Sequence, residues 1–458
     1  KFNTGFSLVL ISAAPIATAT TAGTHLNVTT LGRGIGGTGY VASTTLTAER
    51  GSRLFVGNSG DFLIGSGAAS GTTMGVIPWL AAVNTNGSAV SPDGFATYTA
   101  EGGIRALVVA TEYATVITAG STHNVSTNTL TFTGATTVNS LRFTGGSSNI
   151  ASHQTTGTGQ ILTVTSGGVF MTSNNGTIGA TGSVRAGTLN FGSAEGVIWS
   201  NGTNVNTIGA LITGSGGLTK AGTGTLILSG ANGYGGTTII SGGTLQVGIG
   251  GVGRSGIGPM LLNARGTVLS GTGLVQGATT VTFGDIRPGD LGGTSIGTLA
   301  FGSDLTFNPP DPTTSAVTTV ADLKIFSAVS ADKITIGGDL ALNKYSRLVV
   351  TLDLGYTPIE GDSWDLLDWG GLLTLYSFNV GGQRDGSADN DSNLDLPELT
   401  GGLLWNISNF SGNGALTLSI AAVPEPTRAL LLLGGMAALM LQRRRRFKGR
   451  SGAAPRSL

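Results

Sequence analysis

One short pattern recurs along this chain, Gly-Thr-Leu followed by a variable residue and a second apolar one. It appears as Gly187-Thr188-Leu189-Asn190-Phe191, Gly224-Thr225-Leu226-Ile227-Leu228, Gly243-Thr244-Leu245-Gln246-Val247 and Gly297-Thr298-Leu299-Ala300-Phe301. A looser form stands at Leu130/Phe132, Leu141/Phe143 and Leu305/Phe307. Residues two apart in an extended strand point to the same side, so each copy reads as a strand with one apolar side and one side facing water. The four leucines of the stricter form are separated by 37, 19 and 54 residues, all near multiples of 18 or 19. A unit of that length fits one turn of a solenoid, three strands joined by three corners. Gly, Asn and Ser supply corners that need positive φ. Such a coil cannot bury its Leu, Val and Phe alone, but a stack of coils makes one apolar column. The fold expected is all-β: a parallel β-helix (solenoid) with a β-rich C-terminal capping module and a short C-terminal hydrophobic helix. Thr and Asn ladders are expected on its outer faces. A β-sandwich is the alternative, and it leaves the 18–19 step without a cause.

Composition agrees. Glycine accounts for 78 of 458 residues, charged residues for 10%, and there is no cysteine. Gly, Thr and Ser disfavour long helices. The missing cysteines exclude a disulfide scaffold, a thiol enzyme and a Cys-based metal site. The formal net charge of +0 hides an asymmetry: Arg443, Arg444, Arg445, Arg446, Lys448, Arg450 and Arg456 crowd the last sixteen residues, and the body carries a net charge of −7. A nucleic-acid partner is not expected for such a body.

The search for chemistry finds little. Between Tyr113 and Gly284 the only acidic residue is Glu195, so no carboxylate pair can form on those coils. Gly293-Thr294-Ser295-Ile296-Gly297 and the set Gly32, Gly34, Gly37 match a nucleophile elbow and a dinucleotide fingerprint in letters only. Neither the strand-turn-helix nor the βαβ context accompanies them. His25, His123 and His153 are isolated. Asp385, Asp389, Asp391 and Asp395 alternate with other residues as oxygen ligands for Ca²⁺ do, but Leu394 stands where a calcium loop needs Gly; a solvated acidic loop is the plainer reading. No enzyme activity and no cofactor are expected.

A proline cluster at Asn308-Pro309-Pro310-Asp311-Pro312 divides the chain. The solenoid is expected over 1–313 and the capping module over 314–420, with strands at Lys333–Ile336, Leu340–Leu342, Leu348–Leu354 and Leu416–Ile420. Trp364, Trp369 and Trp405 are expected to seal the end of the column. Phe6 to Ile16 followed by Ala17-Thr18-Ala19 mimics a secretory signal. Gly5, Ser7, Ser12 and Pro15 interrupt it, which favours an interior strand of a longer parent.

Two stretches carry resemblances. Val423-Pro424-Glu425-Pro426 precedes the thirteen-residue apolar run Ala429–Leu441 and then Arg443, Arg444, Arg445 and Arg446 (signal 423–446, basic tail 447–458). As a helix at ~1.5 Å per residue the run covers about 20 Å, short of a ~30 Å hydrocarbon core. Arg428 and Arg443 can reach opposite headgroup layers, and the arginine cluster acts as a membrane stop on the cytoplasmic side. The arrangement resembles the PEP-CTERM sorting signal. The resemblance implies an exosortase-type processing enzyme as partner, with Val423, Pro424, Glu425 and Pro426 at the recognition site. It also implies transient inner-membrane insertion, removal of the helix, and a mature protein at the cell envelope, cell surface or outside. Residues 216–248, from Gly216-Gly217-Leu218-Thr219-Lys220 through Asn232 and Tyr234 to Gly248, resemble the passenger-associated transport repeat, also called the autotransporter-associated β-strand repeat. No run of amphipathic strands that could build a membrane barrel follows. The expectation is an exported structural or adhesive protein contacting an extracellular polysaccharide or surface. The alternative is a carbohydrate-binding or carbohydrate-active β-helix using Asp353–Asp368 or Asp385–Glu398.

Overall fold

The computed structural model describes residues 6–10, 25–42, 53–57, 60, 62–66, 68–82, 92–117, 120–130, 132, 134–145, 160–179, 187–291, 295–308, 319–380, 393–399, 403–407, 415–422, 436–441 and 443. Short β-prone runs separated by glycine corners wind into a parallel β-helix with three walls. The first wall is an 11-stranded sheet running from Asn124–Thr127 to Leu373–Tyr376. The second runs from Thr177–Ile178 to Leu394–Asp395. The third is split. A 4-stranded sheet spans Ala135–Val138 to Leu211–Thr213, and a 6-stranded sheet begins at Leu274–Val275. Single bridges from Ala231 to Arg254 and on to Leu274 join the two pieces.

Inward side chains form one column. Val125, Leu141, Val169, Ile198, Leu218, Ile240, Leu262, Val281, Phe307 and Leu342 belong to a single buried cluster with their partners from the other walls. At roughly 25 cal/mol per Å² of apolar surface removed from water, this column is the main stabilising term. The parallel ladders satisfy the backbone from coil to coil. Strands on the two sides of the proline cluster pair directly, Gly284 with Thr319 and Leu305 with Leu340.

The coil length differs from the sequence expectation. Leu226 and Leu245 are direct partners on the second wall, one coil apart. Leu189 and Leu299, however, lie on the third wall, paired with Ile212 and Ile334. The 37- and 54-residue separations therefore do not count coils. Along the first wall the step is 16 residues from Asn124 to Ser140, 20 from Leu218 to Thr238 and 35 from Leu305 to Leu340. The apolar column fixes strand length, whereas corners can lengthen into surface loops at little entropic penalty.

The described residues before Leu107 build a second, smaller unit. Phe6–Leu10, Thr38–Ala42 and Ile77–Ala82 are successive parallel strands of one sheet, and Gly94–Thr99 and Gly103–Ala106 extend it antiparallel. His25–Val28 and Arg53–Val56 pair parallel as a second layer. Val41, Leu54, Val56, Ile77, Leu80 and Ile104 form its own core. Its opposite side lies against the outer face of the first wall. There Met74, Ala81, Phe95 and Leu107 pack on Phe170, Val197, Trp199 and Ala221. The uncovered strands Ile161–Val164 and Val205–Ile208 alternate half-buried and buried residues. The sheathed strands Gly168–Met171, Gly196–Ser200 and Leu218–Ala221 are buried on both sides. The expectation that every outer face meets water fails on this wall for that reason.

At the other end Ser363–Trp369 pairs antiparallel with Ala415–Ala422, which pairs with Leu403–Asn406. Trp364, Trp369 and Trp405 join the core cluster there, with Trp364 and Trp405 ring centroids 6.0 Å apart. The C-terminal helix is described at residues 436–441, and Met436, Leu439, Met440 and Leu441 on it are exposed.

Candidate functional site

The repeat-like stretch forms two adjacent coils. Leu218–Ala221 and Thr225–Leu228 belong to one, Thr238–Ile240 and Thr244–Val247 to the next. Leu218, Leu226, Leu228, Ile240, Leu245 and Val247 supply its share of the column.

Three polar residues brace these coils. Lys220 pairs with Ile198 below and Ile240 above, both inward, so its stem lies inside the column. It is fully buried, and its Nζ donates to the carbonyls of Gly222 at 2.6 Å and Gly242 at 2.8 Å, tying the corners of successive coils. Burial holds its pKa well below the ordinary lysine value. Asn232 accepts from the Ile212 N–H at 2.9 Å and donates to the Arg254 carbonyl at 2.7 Å, spanning three coils at the gap in the third wall. Tyr234 is buried with its hydroxyl 2.7 Å from Thr238 Oγ1. Gly243 sits at φ 64 with the Gly224 carbonyl against the place a Cβ would occupy, so only glycine fits that corner.

Gln246 was expected to face water and is instead buried. It points outward from the second wall, but residues 289–291 cover it. Its Nε2 donates to the Gly248 carbonyl at 3.0 Å and to Asp290 Oδ1 at 3.2 Å, and its Oε1 accepts from the Leu291 N–H at 2.6 Å. Asp290 also accepts from the Gly250 N–H at 3.0 Å and from Thr272 Oγ1 at 2.9 Å, closing the loop onto the wall.

The same coils hold the sheath. Glu195 makes a bidentate ion pair with Arg33, at 2.5 and 3.0 Å, and accepts from Thr219 Oγ1. Thr38 Oγ1 lies 2.6 Å from Ser241 Oγ, and Trp199 Nε1 donates to the Pro78 carbonyl at 2.8 Å. The Gly-rich run around Gly34 and Gly37 is a turn, with Gly36 at φ 67 against Ile239. Gly36 lets this turn press against the Ile239 side chain, where a Cβ would collide.

The acidic residues have mechanical partners. Lys333 holds Asp365 and Asp368, each at 2.6 Å, and Lys324 holds Asp353 at 2.5 Å. Asp332 is 2% exposed and accepts from the Gly297 N–H at 3.0 Å and the Lys324 N–H at 3.1 Å. Burial pushes its pKa up to about 7. Ser295 Oγ accepts from the Asp290 N–H at 3.0 Å, and His123 Nδ1 lies 2.7 Å from Thr72 Oγ1. No cluster of three His, Cys, Asp or Glu able to hold a metal ion occurs among the described residues. Asp395 lies 3.4 Å from Arg347, whereas Asp385, Asp389 and Asp391 lie outside the described residues.

Val423, Pro424, Glu425, Pro426, Arg444, Arg445 and Arg446 are also outside them, and Arg443 is exposed. Among the described residues no helix is long and apolar enough to cross a membrane.

Sequence reasoning named the repeat but missed what its polar positions do. One signal was present: Lys220 stands two residues after Leu218, and strand alternation puts both on the same side. The fold thus defines a three-walled parallel β-helix with a sheathed flank. Residues 218–247 match the family model of the passenger-associated-transport-repeat. No curated protein matches the chain. Repeat and fold together fit an extracellular or cell-surface β-helix protein.

Proposed function

We propose that this chain is an exported structural or adhesive protein of the cell envelope, delivered through its C-terminal segment by an exosortase-type enzyme. The observation that carries the reading is the repeat at residues 218–247 set in a rod with a continuous apolar column. Its polar groups there serve structure: Lys220 and Asn232 tie coils together, and Gln246 holds the 289–291 loop on the wall. The order Pro424-Glu425-Pro426, apolar run and arginine cluster supports the delivery route. A rod of this kind acts by presenting long faces to a matrix polysaccharide or a surface rather than by turning over a substrate.

Mass spectrometry of the mature protein from envelope and culture medium is the test. A C-terminus near Pro424–Pro426 is the expected result. A protein that keeps residues 429–458 in every fraction refutes the delivery route.

A further inference from the structure

The strand that closes the rod runs into the expected processing motif without a spacer. Ala415–Ala422 is the middle strand of the antiparallel cap, paired with Ser363–Trp369 on one side and Leu403–Asn406 on the other. Its pairing extends to its last residue: Ala422 is opposite Leu403, Ala421 opposite Leu404 and Ile420 opposite Trp405. Ile420 is held on both sides. Its N–H donates to the Asp362 carbonyl at 3.0 Å, and its carbonyl accepts from the Gly361 N–H at 3.1 Å. Its side chain is 3% exposed, in the cluster that contains Trp364 and Trp405.

Val423 is the next residue after this strand and Pro424 the one after that. Two extended residues reach about 7 Å. An enzyme that takes up its substrate by strand addition makes main-chain bonds to an extended run of several residues. For a cut at Pro424–Pro426 those residues include Ser419–Ala422, whose backbone the closed cap already uses. Freeing them breaks two ladders and brings Ile420 out of the core.

We propose that the closing strand Ala415–Ala422 competes with the processing enzyme for the residues before the Pro-Glu-Pro motif, so that a chain is cut only while its cap is open. Processing then precedes closure of the rod, and the cut end is drawn into the sheet. This inference rests on the sorting reading for its enzyme, but the competition itself is a property of the cap.

The test locks the cap. Ser363 and Ser419 are direct antiparallel partners. Cβ atoms at such positions lie about 4.5–5.5 Å apart, within small adjustment of what a disulfide spans. In the processing host, full-length S363C/S419C is expected to accumulate uncut when oxidised, about tenfold or more above S419C alone. A ~12-residue Gly/Ser spacer after Ala422 is expected to restore cutting of the locked chain. Cutting of the oxidised, spacer-free variant at the wild-type rate overturns the proposal. A second measurement needs no sorting enzyme. Residues 423–426 of the purified full chain are replaced by the recognition sequence of a soluble endoprotease, with and without the spacer. Cutting about tenfold slower without the spacer is the expected result. Equal rates overturn the proposal whatever the delivery route. Slow spacer-free cutting beside a wild-type chain that is never processed in cells refutes the sorting reading alone.

Discussion

Replacing Trp199 by alanine isolates the contact between sheath and solenoid. Trp199 pairs with Phe170 and Ala221 on the first wall, and its side chain points away from the column. It is 0% exposed, stacks on Phe170 at 5.7 Å and donates its indole N–H to the Pro78 carbonyl. Detaching the sheath exposes this ring, so its burial is part of the free energy that holds the sheath down. Truncating a buried Trp costs about 3–5 kcal/mol, and the lost hydrogen bond contributes about 1 kcal/mol within that. A loss of about 3–4 kcal/mol is a few hundredfold in the opening equilibrium, at about 1.4 kcal/mol per tenfold. The readout is hydrogen exchange followed by mass spectrometry. Peptides covering 77–82 and 92–106 should exchange a few hundredfold faster, while peptides covering 298–307 and 340–352 keep their wild-type rates. Equal loss of protection in both regions would refute the two-layer reading. So would a change below tenfold at 77–82 and 92–106.

Four further outcomes follow from named contacts. Burial lowers the folded pKa of Lys220 well below the unfolded value of 10.5, so between the two the unfolded chain binds the extra proton. Unfolding therefore takes up a proton, stability rises as pH climbs toward that value, and K220M should flatten the rise in denaturant titrations. Asp332 has the opposite sign. Its folded pKa of about 7 exceeds the unfolded 3.8, so the folded state holds more protons and stability falls between those values. D332N should remove part of that fall, Asp322, whose pKa burial also raises, accounting for some of the remainder. N232D leaves the Arg254 carbonyl without its donor and should lower unfolding free energy by about 1–3 kcal/mol, whereas N232A that leaves the melting temperature unchanged would show that the brace is idle. For the carbohydrate alternative, D365N/D368N is expected to leave binding across a polysaccharide panel unchanged, and lost binding or turnover would move the function to that wall.

The strand content was legible because it is local. Leu-x-Phe and Gly-Thr-Leu-x-apolar spell a period of two, and the strand expected at Lys333–Ile336 has the same limits in the structure. Trp364, Trp369 and Trp405 were legible as end-sealing residues because a column of Leu and Val has to finish against something large. Coil length was not legible, since corners vary without disturbing the column, and the spacing of Leu189, Leu226 and Leu299 mixed two walls.

The sequence by itself determined that these strands have an inside and an outside and that glycine corners link them, because both follow from backbone geometry within a few residues. Only the tertiary structure decided which outsides stay wet. Phe170, Trp199 and Ile239 alternate with column residues and would be exposed on an isolated rod, yet the N-terminal sheet packs on the first two and the turn at Gly36 lies against the third. Glu195, alone in its stretch of sequence, meets Arg33 across 162 residues. Alternation says which side chains share a side, whereas what lies against that side depends on contacts between segments far apart in the chain, which no local pattern encodes.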